Sequence, residues 1–427
     1  MTARRAVVLR RAAVVAAALA CAVVLLFLPG PEGPAAGGGP DAGTGAEERA
    51  AVQRLLDRRA RAVLDGDEEA FLAGVDPAAR EFRNLQRREF RNLRRLPLAS
   101  WRYRLAGTGT RALPGSGGTR GIAARVVLEH RIEGFDTEPV ASTEYWTFTR
   151  RGGGWVLSSD TGGRSGGPRG AVHLWEQGEM TVVRGRHSLV LGLADRDGAK
   201  AYADLADAAV PAVTAAWGGK WAERVVVVVP GSPEGMAELL GGEPAAYRDM
   251  AAVTTGRPGG APGAAADRVV VNPEAFGGLG PLGRRVVTAH ETAHVATRSA
   301  TTDATPLWLS EGFADWAGYR GTGTAPVRAA PELRAEVAAG RPPARLPGDE
   351  AFAGGREGLA TAYEAAWLAC RMTAERWGED ALVDLYRAVG AGTGRADPVD
   401  AAMREVLGVG LEEFTEDWRA YTLEELS

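Results

Sequence analysis

The chain has 427 residues, of which 45% are apolar, 24% charged and 7% aromatic. This balance excludes collagen-like, coiled-coil and wholly disordered proteins, and the length is sufficient for two or three domains with packed cores. The net charge of −4 gives no general electrostatic reason to expect a nucleic acid as a partner. Only two cysteines are present, Cys21 and Cys370, so we expect neither a disulfide framework nor a cysteine-based metal cage.

Residues 1–28 have the pattern of a membrane anchor or an export signal. Four arginines precede the uncharged run 12–28, and Pro29 and Gly30 end any helix there. As a helix this run reaches about 25 Å, slightly less than the roughly 30 Å thickness of the hydrocarbon core. Because no Ala-x-Ala cleavage site follows, we expect an uncleaved single-pass anchor in the cell membrane, with the rest of the chain extracytoplasmic. The alternative is a cleaved signal and a secreted protein.

Residues 29–46 are rich in Gly, Pro and Ala and are expected to form a flexible linker. Residues 47–160 are predicted to form a small α+β domain, in which amphipathic helices precede an antiparallel sheet. Its predicted strands are 101–105, 122–132, 140–149 and 155–158. The order of these elements resembles that of a nuclear-transport-factor-like, cone-like domain. That resemblance implies an accessory role.

Residues 171–427 are predicted to form a second α+β domain, after the glycine-rich segment 161–170. Helices follow one another from residue 358 to residue 421, so the carboxyl-terminal part of this domain is expected to be helical. Its predicted strands are 172–174, 181–183, 188–191, 225–229 and 267–272.

A helix predicted from Leu282 onward contains the motif His290-Glu291-Thr292-Ala293-His294. Two histidines four residues apart project from the same helix face, so both imidazoles can bind one cation. The chain contains only five histidines, which makes an accidental occurrence of this spacing rare. A catalytic zinc ion requires a third protein ligand and an open coordination position.

The third ligand is expected to be Glu311, which lies in the sequence Leu-Ser-Glu-Gly-Phe-Ala-Asp. The residues between His294 and Glu311 are enough for a turn and a second, antiparallel helix. Asp315 lies one helical turn after Glu311 and therefore on the same face. Its carboxylate can accept the distal N–H of a ligand histidine, which fixes the tautomer of that histidine.

These residues resemble those of the gluzincin metallopeptidases of the MA-like superfamily, in which a helix with His-Glu-x-x-His precedes a helix bearing a glutamate ligand. The resemblance covers about residues 225–421, is closest to an actinobacterial-type membrane-anchored member, and implies a zincin-like fold. It implies that Glu291 is the general base and that Asp315 supports a ligand histidine. Tyr363-Glu364-Ala365-Ala366 resembles the aminopeptidase sequence Tyr-Glu-x-Gly-Ala, which implies that Tyr363 stabilises the transition state. The alternative for Tyr363 is a core position in its helix.

The aminopeptidase segment Gly-x-Met-Glu-Asn, which holds a free α-amine, has no counterpart in this sequence. An endopeptidase is therefore favoured over an aminopeptidase. The strand containing Arg268, Val269, Val270 and Val271 is expected to be the edge strand that pairs with an extended substrate.

The function expected from the sequence is zinc-dependent hydrolysis of a peptide or protein. Zn²⁺ held by His290, His294 and Glu311 would polarise the scissile carbonyl and lower the pKa of a water from about 15.7 toward 7, and Glu291 would accept its proton. One alternative is a binding or scaffold protein with a structural zinc. Another is a zinc amidase acting on cell-wall peptides. The sequence does not indicate the oligomeric state.

Overall fold

The computed structural model describes residues 45–112, 120–160, 170–248, 250–256, 267–353 and 358–427. The predicted anchor 1–28 and nearly all of the linker lie outside these residues. Among the helices of the described part, none has the length and apolar character needed to cross a membrane. The chain divides into two compact units between Val182 and Val183. Residues 171–182, which were predicted to open the second domain, belong to the first unit.

The first unit has helices followed by a four-stranded antiparallel sheet with the order β1-β2-β3-β4. The predicted α+β class is confirmed, and each of the four predicted strands is present. The predicted strand 172–174 is wrong, because a short helix begins at Leu174 instead. The elements are α1 (Ala46–Asp65), α2 (Glu68–Ala73), α3 (Arg80–Leu93), β1 (Leu98–Ala112), β2 (Arg120–Ile132), β3 (Val140–Arg151), β4 (Gly154–Ser159) and α4 (Leu174–Gln177).

Helix α1 packs on the sheet through one apolar face. Its buried residues include Val52, Leu55, Leu56 and Val63, whose spacing of three and four matches the helical period. The helix ends at Gly66, where a backbone φ of 71° favours glycine. The first unit therefore has a core of its own.

The second unit contains a five-stranded sheet with the order β5-β6-β7-β9-β8 and a helical carboxyl-terminal part. Strands β6, β7 and β9 run parallel, whereas β8 is antiparallel to β9. The strands of this sheet, and the helices as far as the one that carries His290 and His294, are β5 (Thr181–Arg184), β6 (Ser188–Gly192), α5 (Arg196–Trp217), β7 (Val225–Val229), α6 (Pro233–Leu240), β8 (Ala252–Thr254), β9 (Arg268–Val271), α7 (Pro273–Gly278) and α8 (Pro281–Thr297). The remaining helices are α9 (Leu307–Tyr319), α10 (Pro326–Ala329), α11 (Pro331–Ala338), α12 (Leu359–Trp377), α13 (Glu379–Ala391), α14 (Pro398–Val406) and α15 (Leu411–Leu426).

Strand β9 is an interior strand, so the prediction that Arg268, Val269, Val270 and Val271 form an open edge is wrong. It pairs on one side with β7 and on the other with β8. A strand with neighbours on both sides has no backbone groups left for a substrate. The outermost strand is β8, whose three residues are each at most 2% exposed. Within the described residues β8 pairs with β9 alone, so β8 is the edge strand on this side of the sheet.

Helix α9 lies close to both α8 and α12 because it has glycines at the contacts. A Cβ atom added to Gly312 would lie 2.3 Å from the Ala366 carbonyl oxygen, and one added to Gly318 would lie 2.9 Å from that of Val286. Neither position has room for a methyl group. The close approach brings Glu311, the neighbour of Gly312, beside α8.

Replacing Gly312 by Ala should destabilise the second unit. The added methyl group must push α9 away from the α12 backbone, and overpacking of this kind costs about 1–3 kcal/mol. Urea unfolding of the full chain measures the effect. Gly277→Ala is the matched control, because nothing lies within 4 Å of the added Cβ in that helix. Equal unfolding midpoints for Gly312→Ala and the wild type would show that the contact does not constrain α9.

Candidate metal centre

Three buried side chains from α8 and α9 meet at one point. The Nε2 atoms of His290 and His294 are 3.0 Å apart. The Oε2 atom of Glu311 lies 3.3 Å from the Nε2 of His290 and 3.5 Å from that of His294. The exposed fractions are 0% for His290, 4% for His294 and 0% for Glu311. The structure brings the three predicted ligands together, and they could hold a metal ion.

The donor atoms have the spacing that a small cation requires. A tetrahedral ion with bonds of about 2.0–2.1 Å holds its ligand atoms about 3.3–3.4 Å apart, close to the observed 3.0, 3.3 and 3.5 Å. Both carboxylate oxygens of Glu311 are buried and accept no hydrogen bond within the described residues. A buried carboxylate without such bonds is strongly unfavourable unless a positive charge compensates it. The site therefore fits a bound cation.

The charges within the triad favour an ionised Glu311. Burial opposes its ionisation, but the charge of His294 and the contacts with both histidines outweigh burial and lower its pKa to about 2. Burial likewise favours a neutral His290, yet the charge of Asp315 and its hydrogen bond raise the pKa of His290 well above the usual value. Without a metal, a proton thus supplies the positive charge. A metal ion must displace this proton when it binds.

Asp315 orients one of the two histidines. Its Oδ1 atom lies 2.8 Å from Nδ1 of His290, and its side chain is buried. Because Nδ1–H of His290 donates to this carboxylate, loss of the second proton leaves the lone pair of the ring on Nε2, the atom that faces His294 and Glu311. Asp315 thus has the position expected from its spacing after Glu311.

Glu291, the predicted base, is 1% exposed and contacts the outer strand of the sheet. The hydroxyl of Thr254, the last residue of β8, donates a hydrogen bond of 2.6 Å to Oε2 of Glu291. Thr254 was not predicted from the sequence. The one feature that could have indicated Thr254 is strand β8, which was not predicted either.

Tyr363 on α12 lies beside the triad. Its ring centre is 6.4 Å from that of His290 and 5.2 Å from that of Phe352, and the residue is 2% exposed. Its ring also belongs to the large apolar core of the second unit. This position agrees with the catalytic role and with the core role.

A second group of possible metal ligands lies in the first unit and was missed by the sequence analysis. Ligand atoms of Glu144, His173 and Glu176 all lie within 4.8 Å of one another. The Nε2 atom of His173 is 3.2 Å from Oε1 of Glu144, and its ring stacks on Trp175 at 4.3 Å. Burial raises the pKa of Glu144 to about 8 and that of the nearby Glu89 to about 7. Glu144 therefore retains its proton near neutral pH, the range in which Glu89 titrates.

The raised pKa of Glu144 predicts that the first unit loses stability as the pH rises. The folded state binds a proton that the unfolded state has already released, so this contribution is complete below about pH 4.5 and disappears as the pH passes 8. Glu144→Gln should unfold at the same temperature as the wild type at pH 5 and at a higher temperature at pH 8. Scanning calorimetry provides the comparison. Glu138→Gln, at an exposed position, is the control. A constant difference between Glu144→Gln and the wild type would contradict the prediction.

Asp315→Asn should weaken metal binding about 10- to 100-fold, because the amide supports the His290 ring less well than a carboxylate does. His290→Ala should remove one bound divalent ion per chain. Both effects can be measured by competition with a chromogenic chelator. Asp303→Asn, at an exposed site close to α9, is the control. Wild-type affinity and stoichiometry in His290→Ala would show that the metal binds elsewhere.

Comparison of the sequence with protein-family models finds no match, and none of the curated proteins is significantly similar to it. The interpretation of the metal centre therefore depends on the residues and their geometry.

Proposed function

We propose that this protein is a zinc-dependent peptidase of the gluzincin type. The main support for this proposal is the set of residues that could bind the metal. In the described part of the chain it has three protein ligands, His290, His294 and Glu311. Three ligands leave a coordination position open, as in a catalytic zinc site, whereas a structural zinc site usually has four. Glu291, an acid suited to proton transfer, lies between the two histidines in the sequence.

The chain itself would perform most of the steps of hydrolysis. A bound Zn²⁺ would supply a Lewis acid and lower the pKa of a water molecule to about 7. Glu291 would accept a proton from the attacking water and return it to the leaving amine. Asp315 keeps the His290 ring in the ligating tautomer throughout. By the resemblance stated above, the hydroxyl of Tyr363 would stabilise the oxyanion.

The arrangement of elements supports the gluzincin assignment. The motif helix α8 packs against β8 of a mixed sheet, and the glutamate-bearing helix α9 follows it and packs against α8. On this proposal the second unit is an endopeptidase domain, and the first unit is a nuclear-transport-factor-like accessory domain. The predicted anchor would place both outside the cell membrane, where the substrate is a peptide or protein.

One observation favours the alternative of a structural zinc. The triad is at most 4% exposed, and the residues of β8, the strand that contacts the motif helix, are at most 2% exposed. A peptidase must open a path to this centre, but a scaffold need not. A zinc amidase for cell-wall peptides would need the same path and differs from a peptidase only in its substrate.

Glu291→Gln should abolish hydrolysis without loss of metal. The zinc-loaded protein is incubated with a peptide library and, in parallel, with cell-wall stem peptides. General acid–base catalysis contributes about 10²- to 10⁴-fold, so the variant should lose at least this factor while its zinc content stays equal to that of the wild type. Glu274→Gln, at an exposed position of the same unit, is the control. A zinc-loaded wild type that cleaves neither substrate class would support the scaffold, and cleavage of stem peptides alone would support the amidase.

A further inference from the structure

We propose that Thr254 is a positioning residue for Glu291, whose carboxylate it holds away from the metal ligands. The inference rests on the proposed function where it concerns catalysis. It also makes a statement about metal coordination that can be tested without any hydrolysis.

The contact between Thr254 and Glu291 is short and shielded from water. The hydroxyl oxygen of Thr254 lies 2.6 Å from Oε2 of Glu291 and 3.1 Å from its main-chain oxygen. A hydroxyl has one proton, and the shorter distance is typical of an O–H that donates to a carboxylate. Thr254 and Glu291 are 2% and 1% exposed, so water does not compete for the bond.

Thr254 is itself held firmly. It pairs with Val269 in the antiparallel register of β8 and β9, and the N–H of Thr255 donates to the Arg268 carbonyl at 2.9 Å. At the carboxyl end of α8, the Nε atom of Arg298 donates a hydrogen bond of 2.9 Å to Oδ1 of Asp267. The strands and the motif helix are thus joined at two places.

The contact with Thr254 prevents Glu291 from becoming a metal ligand itself. Glu291 directly follows a metal ligand in the sequence, and carboxylate oxygens are themselves good zinc ligands. A Glu291 side chain free to turn could take the open position and make the centre a closed, four-ligand site. With Oε2 bound to Thr254, the carboxylate is held at β8 and remains available as a base. A base must stay within hydrogen-bond reach of the proton it abstracts.

The test compares Thr254→Val with Thr254→Ser. Valine has nearly the same shape as threonine but lacks the hydroxyl, whereas serine retains it. Thr255→Val is the matched control, because the Thr255 hydroxyl accepts a hydrogen bond from the backbone N–H of Arg268 on the neighbouring strand. Thermal unfolding establishes that each variant is folded. The readouts are kcat and KM for the zinc form, and the visible absorption of the Co²⁺ form, which reports the ligands around the ion.

For Thr254→Val we expect kcat to fall about 10- to 100-fold with KM nearly unchanged, since the base is misplaced but substrate binding is not. Its Co²⁺ spectrum should change as a carboxylate ligand is added. Thr254→Ser and Thr255→Val should keep the wild-type kcat and spectrum. A purely structural role for Thr254 would alter stability without changing the spectrum.

A wild-type kcat and spectrum in Thr254→Val would overturn the inference. So would equal losses in Thr254→Ser and Thr254→Val, because the hydroxyl would then not be the operative group. If the wild type cleaves no peptide while the Thr254→Val spectrum changes and the Thr254→Ser spectrum does not, the proposed function fails and the positioning role of Thr254 stands.

Discussion

The arrangement of the second unit depends on the buried negative charge of Glu311. Its carboxylate is buried against the two histidines of α8, which bring positive charge near it. Such a group is tolerated if α8 and α9 remain close enough for the imidazoles to face it. The tight contact of Gly312 with α12 and of Gly318 with α8 maintains this approach. The charge of Glu311 and the packing of the glycines therefore both require α8 and α9 to lie close together.

Features set by local geometry could be predicted from the sequence. The spacing of His290 and His294 defines one helix face, and Asp315 follows Glu311 by one turn, so each relation needs only the helical period. The antiparallel strands of the first unit also follow from alternating patterns between glycine-rich turns. These predictions required no knowledge of which elements are neighbours in the fold. The exception is the prediction that Glu311 lies beside the two histidines, because they belong to different helices.

Features set by distant pairing could not be predicted. Strand β8 has three residues, too few for a periodic pattern, and its omission left β9 as the apparent edge of the sheet. The contact of Thr254 with Glu291 depends on that same strand. Glu144 and His173 are 29 residues apart and come together through packing rather than through any motif. In each case the missing information was the tertiary neighbour.

The glycine contacts of α9 have a thermodynamic consequence for ion exchange. Because the ligand-bearing helices are packed against each other by the fold, the loss of conformational entropy in gathering three side chains occurs during folding and not when an ion arrives. An ion therefore meets a preorganised set of donors and competes mainly with the proton on the His290 imidazole. The selectivity of the centre among divalent cations then depends on how well each cation accepts a fixed triangle of two nitrogens and one oxygen.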